Sequence, residues 1–299
     1  MNDIKISIGL PVFNEESLIS KKIESILSQT HKNFELIISD NGSTDSTSKI
    51  CENFAQNDPR IKFFRHNENK GIFWNYDFVL KTAINEYFIW TATDDVILPT
   101  FLEKTIDVLE KDKTLVGCIS KTKPIGKFVE TFSYNTNDNF CKKFYKKFRF
   151  SAMKNTIDHI QKPYCDRSRY FLKYNSILSI FSVFRTNELK KSNPVKPSGM
   201  WEYCWILNIL EFGSIHVLDD VLWKFSTGGS SAKGCFNIYL EKHGNFIESV
   251  FPYFSFTQWC FKNKGIKFVL SNFDYFSYLL FMNNYLIMAG LLKLIQSKI

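Results

Sequence analysis

Apolar and polar residues alternate in two different ways along the first 119 residues. Ile6, Ile8 and Leu10 alternate with small or polar residues, which predicts a first strand that Pro11 ends. The apolar residues of the next segment share one helical face, and this change of period repeats along the chain. Further strands are predicted at 34–38, 61–64, 87–90 and 115–119, and helices at 19–27, around 50–54, at 73–84 and at 99–111. Strands that alternate with helices predict an α/β fold with a mostly parallel sheet.

The second half of the chain has a weaker pattern. Residues 120–175 are rich in Lys, Phe, Asn and Tyr without a clear period, so we expect a variable lobe there. The pattern then predicts a strand over 177–184, a helix over 201–212, and one or two short strands over 216–225. Asp219 and Asp220 are interpreted as a turn between the two short strands. After Cys235 the chain becomes aromatic and apolar, and this tail is predicted to be helical.

Composition narrows the class of protein. The chain has 299 residues, of which 44% are hydrophobic and 23% charged, and this excludes a wholly disordered chain. The net charge of +8 is compatible with nucleic acid, an anionic membrane surface or phosphate-bearing substrates, and it selects none of them. The seven cysteines form no CxxC pair and indicate neither a disulfide framework nor a zinc site. A secretory signal peptide would need a longer apolar run at the N-terminus. We therefore expect the protein to lie in the cytoplasm, where cysteines stay reduced.

The tail could contact a membrane without crossing it. Residues 276–292 carry no charge, but they include two asparagines and are shorter than the roughly 20 apolar residues that a span needs. Lysines lie on both sides of this segment. Two interpretations therefore stay open: a helix in the membrane interface, and a helix packed on the main domain.

Polar side chains follow three of the predicted strands. Asp94 and Asp95 come directly after the strand at 87–90, and their repulsion would be relieved by a hard cation such as Mg²⁺ or Mn²⁺. The alternative is that they cap the next helix. Asp40, at the end of the second strand, has no obvious structural role and could accept a hydrogen bond from a nucleotide base. Phe13, after the first strand, would face the cleft and could stack on that base.

These features, in this order, resemble glycosyltransferase family 2, which has the GT-A fold. The resemblance rests on these segments: PVFNEE at 11–16, SQT at 28–30, SDNGSTD at 39–45, NKG at 69–71, EYFIWTATDD at 86–95 and Pro99. It is specific over residues 4–120, thinner over 177–231, and absent elsewhere. It implies a GT-A domain over 1–235, with a nucleotide-sugar half at 1–119 and an acceptor half at 120–235. Residues 236–299 would be a helical, aromatic-rich extension.

The resemblance also implies site residues. The residues expected to bind the nucleotide sugar are Pro11, Phe13, Glu15, Asp40, Asn69, Lys70, Thr93, Asp94 and Lys224. Asp94 aligns with the last acid of the family's Asp-x-Asp motif, a ligand of Mn²⁺ or Mg²⁺. Ala92 replaces the first acid of that motif, and Asp95 is expected to compensate as a second metal ligand or through water.

The catalytic base should come from the second half of the chain. In the family an acid opens a helix about eleven residues before a glycine, and Glu202 fits that frame before Gly213. A carboxylate there could take the proton of the acceptor hydroxyl. Lys224 and the glycine-rich residues 228–231 would approach the diphosphate, unless the latter are a flexible surface loop. Arg185 could contact acceptor or phosphate, or form a surface ion pair.

The resemblance therefore predicts an inverting, metal-assisted glycosyltransferase of the hexosyl or N-acetylhexosaminyl type. UDP-sugar is the favoured donor, and the acceptor would be a growing surface glycan or a lipid-linked glycan at the inner face of the cell membrane, as in polysaccharide biosynthesis. Three alternatives stay open: a non-catalytic glycan- or nucleotide-binding module of the same fold, a nucleotidyltransferase, and a nucleic-acid-binding protein. We expect no nucleic-acid partner, because unneutralised acids at the strand ends would repel phosphates.

Overall fold

The strands and helices follow the alternation of the sequence. The computed structural model describes residues 5–126, 163–174, 177–194, 200–227 and 252–279. The strands are β1 (Ile6–Val12), β2 (Phe34–Asp40), β3 (Ile61–Arg65), β4 (Tyr87–Trp90), β5 (Val96–Ile97), β6 (Leu115–Ile125), β7 (Val183–Arg185) and β8 (Ser214–Ser226). The helices are α1 (Ile19–Leu27), α2 (Thr47–Asn57), α3 (Ile72–Thr82), α4 (Phe101–Lys111), α5 (Tyr164–Tyr174), α6 (Thr186–Lys191), α7 (Trp201–Ile209) and α8 (Pro252–Ser271).

The strands form one mixed sheet in the order β3-β2-β1-β4-β7-β6-β8-β5. The first four strands of this order are parallel, which confirms the α/β prediction. β7 runs antiparallel to both of its neighbours, and β5 runs antiparallel to β8. The parallel half places the ends of β1, β2 and β4 at one edge, where the polar segments of the sequence follow them.

The core is continuous across the sheet and its helices. Every residue of β2 and β4 is buried, as expected for strands covered on both faces. Gly9 lets α3 approach β1 closely, because a Cβ atom at this position would lie 2.7 Å from side-chain atoms of Val79 and Phe88. The loops that follow these strands therefore start from well-packed, buried positions.

Three predictions about single elements were wrong. The apolar run 177–184 forms a 3₁₀ helix, Ile177–Phe181, followed by the three-residue strand β7, because a short apolar run does not distinguish a helix from a strand. Pro11 does not end β1, which continues to Val12. At Pro11, β1 is paired only with β2, since its pairing with β4 stops at Gly9, and this leaves room for a residue without an N–H.

Asp219 and Asp220 are not a turn. β8 is one continuous strand, and its register with β6 passes from Ser120–Leu218 to Lys121–Val221, so that the two acids bulge out of the ladder. Their carboxylates reach Lys121 at 2.7 Å and Lys104 at 2.9 Å, respectively. The acid pair is therefore accommodated as an exposed bulge.

The described part of the C-terminal region is helical and packs on α7. Its buried residues include Phe256 and Cys260, and the Phe256 ring lies 5.6 Å from that of Tyr203. Gly265, with φ of 83°, interrupts α8, as a glycine can. No helix within the described residues is long and apolar enough to cross a membrane. Most of the predicted lobe at 120–175 and most of 276–292 lie outside these residues, and the domain boundary at 235 stays a prediction.

Candidate active site

The loops after β1, β2 and β4 meet at one edge of the sheet. The register pairs Val12 with Asp40 and Gly9 with Trp90, so the three strands end close to one another. The loop after β4 is tied to β1 at its start, because the Thr91 N–H donates to the Gly9 carbonyl at 3.0 Å. This edge holds most of the site residues that the sequence predicts.

The first two loops are hydrogen-bonded to each other. The Asn14 N–H donates to the Ser43 hydroxyl at 2.9 Å, and the Asn14 side-chain oxygen accepts from the Thr44 N–H at 2.9 Å. The Glu15 N–H donates to the Thr47 hydroxyl at 2.7 Å. Asn14 adopts φ of 55°, which asparagine tolerates better than most residues. These contacts fix the Glu15 backbone beside the start of α2.

Asp40 has a structural role that the sequence interpretation missed. It is fully buried, one carboxylate oxygen accepts the Ser43 N–H at 3.0 Å, and the other accepts from the Ser48 hydroxyl. Asp40 therefore closes the turn between β2 and α2. The signal was available in the sequence, because an aspartate before serine-rich residues forms such turns readily. A contact with a nucleotide base stays a prediction.

Asn69 and Lys70 lie beside the end of β2. The Asn41 amide donates to the Asn69 side-chain oxygen at 2.8 Å, and the Lys70 N–H donates to the Asn41 side-chain oxygen at 3.0 Å. A Cβ atom on Gly42 would lie 2.8 Å from the backbone carbon of Glu68, so the two loops are in close contact. The Lys70 ammonium lies 4.7 Å from the Trp74 ring centroid. Phe13, the residue after β1, is 41% exposed.

Glu15, Thr93 and Asp94 form the acidic centre of the site. Burial raises the pKa of Glu15, a hydrogen bond with Thr93 lowers it, and the charge of Asp94 raises it further. Burial also raises the pKa of Asp94, which a hydrogen bond from Ser226 and the charge of Lys22 partly offset. Like charges held this close favour a cation between them.

Asp95 is held from two directions. Its carboxylate oxygens accept from the Trp223 indole N–H at 3.0 Å and from the Ser226 N–H at 2.9 Å, while its carbonyl accepts from the Lys22 ammonium at 2.9 Å. Burial raises the pKa of Asp95 to about 6, although the Lys22 charge works against this. With both carboxylate oxygens already accepting, Asp95 is better placed to support Asp94 than to bind an ion alone.

Lys22 was not predicted as a site residue. It is buried, and burial lowers its pKa to about 8 despite the nearby acids. Ser25 of α1 and Gln29, just beyond the end of α1, bond to the segment after Asp95: Ser25 donates to the Ile97 carbonyl at 3.3 Å, and Gln29 donates to the Leu98 carbonyl at 3.0 Å. The one signal in the sequence is that Lys22 falls within the apolar stripe of α1.

Glu202 joins this group through Tyr76. The Tyr76 ring lies 4.8 Å from the ring of Trp201, the residue before Glu202. The pKa of Tyr76 is raised first by burial and then by the charges of Glu202, Asp95, Asp94 and Glu15. The structure therefore brings the predicted base and the predicted donor-site acids around one tyrosine, which sequence reasoning had not selected.

The two basic residues have different positions. Lys224, half-buried in β8, is paired with Val96, two residues beyond Asp94, and its contact with diphosphate stays a prediction. Arg185 is paired with Tyr87, the first residue of β4, and therefore lies at the edge of the sheet opposite the candidate site. Its guanidinium donates to the carbonyls of Leu115 at 2.9 Å and Leu109 at 2.5 Å, so the expectation that it contacts acceptor or phosphate was wrong. The glycine-rich residues 228–231 lie outside the described part of the chain.

The donor set fits a divalent cation that takes few protein ligands. Within the described ranges, no three or more His, Cys, Asp or Glu side chains form a closed metal cluster. Asp94 and Glu15 nevertheless supply partly buried carboxylates, and Lys22 is the cation that lowers the pKa of Asp94. Mg²⁺ and Mn²⁺ sites of this kind are completed by water and substrate phosphates.

The chain belongs to glycosyltransferase family 2. The match to that family, described as "Glycosyl transferase family 2", covers residues 7–173, more than half of the chain. An uncharacterized glycosyltransferase of Rickettsia conorii is 35% identical over 133 residues, which are 44% of this chain and 22% of the relative. Glycosyltransferase GlyG of Streptococcus pneumoniae is 31% identical over 140 residues, 46% of this chain and 45% of the relative. The chain thus spans less than half of either relative.

Solved structures share the GT-A fold. Residues 1–349 of TarS from S. aureus, in complex with UDP-GlcNAc, have a TM-score of 0.57 at 18% identity, over 87% of this chain and 73% of that chain. The mannosyltransferase PcManGT of Pyrobaculum calidifontis, in complex with GDP-Man and Mn²⁺, has a TM-score of 0.57 at 15% identity, over 98% of this chain and 74% of that chain. These similarities confirm the fold prediction.

Proposed function

We propose that the protein is an inverting glycosyltransferase that moves a sugar from a nucleotide-diphosphate donor to an acceptor hydroxyl. One observation carries the proposal: the indole N–H of Trp90, four residues before Asp94, donates to the Tyr76 carbonyl at 2.9 Å, and the Tyr76 ring lies 4.8 Å from that of Trp201, next to Glu202. A donor site and a catalytic base need this proximity, because the acceptor oxygen must reach the anomeric carbon while its proton leaves.

The donor would lie along the loops after β1, β2 and β3. The exposed Phe13 is available to stack on a base, and the hydrogen bonds of Asn69 and Lys70 with Asn41 support their role in the same nucleotide site. UDP-sugar is the favoured donor. TarS was solved with UDP-GlcNAc and PcManGT with GDP-Man, so both nucleotides belong in a test.

Glu202 would act as the general base. Its carboxylate takes the proton of the acceptor hydroxyl while the hydroxyl oxygen attacks the anomeric carbon from the face opposite the diphosphate. The bond from that carbon to the diphosphate oxygen breaks in the same step, so the configuration inverts and the nucleoside diphosphate leaves. Lys224 would contribute positive charge near the leaving group.

Asp94, supported by Asp95 and close to Glu15, would hold Mn²⁺ or Mg²⁺. When bound, the ion supplies positive charge that stabilises the diphosphate leaving group. The Ala92 side chain cannot contribute a ligand, so Asp94 would carry this role with the support of Asp95 and Glu15.

The test measures donor binding and turnover for UDP- and GDP-sugars with Mn²⁺, Mg²⁺ or EDTA. We expect Asp94→Ala to lose metal-dependent donor binding. Glu202→Gln should bind donor within about threefold of wild type, with turnover lower by about 100-fold or more, as for loss of a general base. Asp219→Asn, an exposed acid outside the site, is the matched control and should leave both values unchanged.

A second outcome would favour the non-catalytic module. If Glu202→Gln and wild type bind donor equally and both lack turnover with every acceptor hydroxyl offered, binding without catalysis is the better account. If no donor binds under any metal condition, the glycosyltransferase proposal fails.

We infer further that the acceptor is a growing surface glycan or a lipid-linked glycan, met at the inner face of the cell membrane. Support comes from the basic composition, with a net charge of +8, and from the aromatic C-terminal region.

A further inference from the structure

The C-terminal helices expose an unusual set of large apolar side chains. Five lie within 20 consecutive residues, each between 45 and 65% exposed: Phe254, Phe261, Ile266, Leu270 and Phe273. We call these five residues the C-terminal stripe. The other six large apolar residues that the described chain exposes are scattered over several loops and elements: Phe13, Leu18, Ile84, Val96, Phe212 and Val221. A concentration of this kind marks an interaction surface rather than ordinary surface variation.

The stripe has helical spacing on both sides of Gly265. Phe254 and Phe261 are seven residues apart, and Ile266 and Leu270 are four apart, so each pair lies on one helical face, while Phe273 follows just beyond the end of α8 at Ser271.

A different face of the same helices is buried. Phe256, Trp259 and Cys260 belong to the core. The Lys264 ammonium, also buried, bonds to Asn208 at 2.6 Å and Glu211 at 2.5 Å. Because these contacts hold the helix on α7, the stripe is presented outward on a fixed support.

The charges beside the stripe are mostly positive. Residues 252–279 contain three lysines and one acid. Lys262 and Lys267 are exposed, and neither has an ion pair within the described residues, whereas the acid, Asp274, is paired with Arg169. Two lysines without an ion pair in the described residues thus lie beside exposed apolar side chains. This combination complements a surface with an apolar interior and anionic groups at its boundary.

We propose that the C-terminal stripe, together with Lys262 and Lys267, rests on the surface of an anionic lipid bilayer. The apolar side chains would enter the acyl boundary, and the lysine ammonium groups would contact lipid phosphates. A second copy of the chain fits less well, because pairing two stripes would bring like charges together. Membrane binding and catalysis are separate properties. If the protein did not bind lipid, the proposed glycosyltransferase activity would be unaffected, and if it lacked that activity, the proposed lipid binding would be unaffected.

The test is sedimentation of the full-length protein with vesicles of phosphatidylcholine alone or mixed with phosphatidylglycerol. We expect binding to the mixed vesicles that high salt weakens. The double variant Phe261→Ser with Phe273→Ser should bind about tenfold or more weakly, because apolar area no longer enters the boundary. Lys262→Glu with Lys267→Glu should lose about tenfold or more on the mixed vesicles only.

Matched controls change exposed residues on other elements. Ile84→Ser and Lys49→Glu should bind like wild type. Circular dichroism establishes that each variant is folded, and Leu270→Ser replaces the double variant if the latter is not. Equal sedimentation of wild type and folded stripe variants would overturn the proposal. So would a wild-type dimer in analytical ultracentrifugation that Phe261→Ser converts to a monomer, since the stripe would then join two copies.

Discussion

At the residue scale, Lys22 shows how a single buried charge organises the acidic edge. Its ammonium lies 5.6 Å from the Trp223 ring centroid and bonds to the backbone of Asp95, whose carboxylate the same tryptophan holds. Lys22 and Trp223 thus hold Asp95 through its backbone carbonyl and its carboxylate, respectively. Burying an ammonium group costs free energy of folding. We therefore expect the Lys22 charge to have a function at this acidic edge.

The cost of burying Lys22 predicts a pH dependence of stability. Its pKa is about 8 in the folded protein, below the ordinary value of 10.5. Between these values the unfolded chain holds a proton that the folded protein has released, so the free energy of unfolding rises with pH. The rise is worth up to about 3 kcal/mol. The free energy of unfolding, measured with urea at several pH values from 8 to 10.5, should rise with pH in the wild type. It should not rise in Lys22→Met.

The neighbouring Lys21 provides the control for this prediction. It is exposed on the same helix, so Lys21→Met should keep the wild-type pH dependence. If Lys22→Met follows wild type across the whole window, the buried ammonium does not titrate as described.

At the scale of elements, the site depends on close contact between the loop after β2 and the loop after β3. Gly42 and Gly71 both have positive φ, 77° and 91°, so alanine strains the backbone at each position. They differ in their surroundings. A Cβ atom at Gly42 would meet the Glu68 backbone, while one at Gly71 would meet nothing within 4 Å. Gly71 is thus a built-in reference for backbone strain alone.

We expect Gly42→Ala to lower the free energy of unfolding by about 1–3 kcal/mol more than Gly71→Ala does, because it adds a clash with the Glu68 backbone to the strain of a positive φ. Chemical denaturation of both variants gives the difference. The clash should also displace residues 68–70 and weaken donor binding in Gly42→Ala more than in Gly71→Ala. Equal losses in the two variants would mean that the loops are not in contact.

At the scale of the whole molecule, local pattern predicted the parallel strands β1 to β4 well and the mixed half of the sheet poorly. Strands β1 to β4 carry their own period, and their partners follow from alternation with helices. β7 has three residues, and β5 has two, so neither has a pattern of its own. The bulge at Asp219 exists only because β8 pairs with β6, a contact that no local signal encodes.

The same division holds for the site. Residues that follow a strand could be predicted, because the topology of a parallel sheet brings them together. Lys22 and Tyr76 lie on helices, and their approach to the acids depends on packing. The structural role of Arg185 likewise follows from its bonds to the carbonyls of Leu109 and Leu115, which are distant in sequence.

Packing between α7 and α8 links the C-terminal helices to the helix that carries Glu202. Phe256 is fully buried against Tyr203, one residue from Glu202, while Phe254 on the same helix is 45% exposed. Phe256→Ala should therefore lower the free energy of unfolding by about 3–5 kcal/mol, as for a large cavity, and Phe254→Ala by less than about 0.5 kcal/mol. Tryptophan fluorescence and circular dichroism should report one shared transition, since Trp201, Trp205 and Trp259 belong to a single core. An early separate transition in Phe256→Ala would show that residues 252–279 fold as a unit of their own, and that Glu202 is positioned without them.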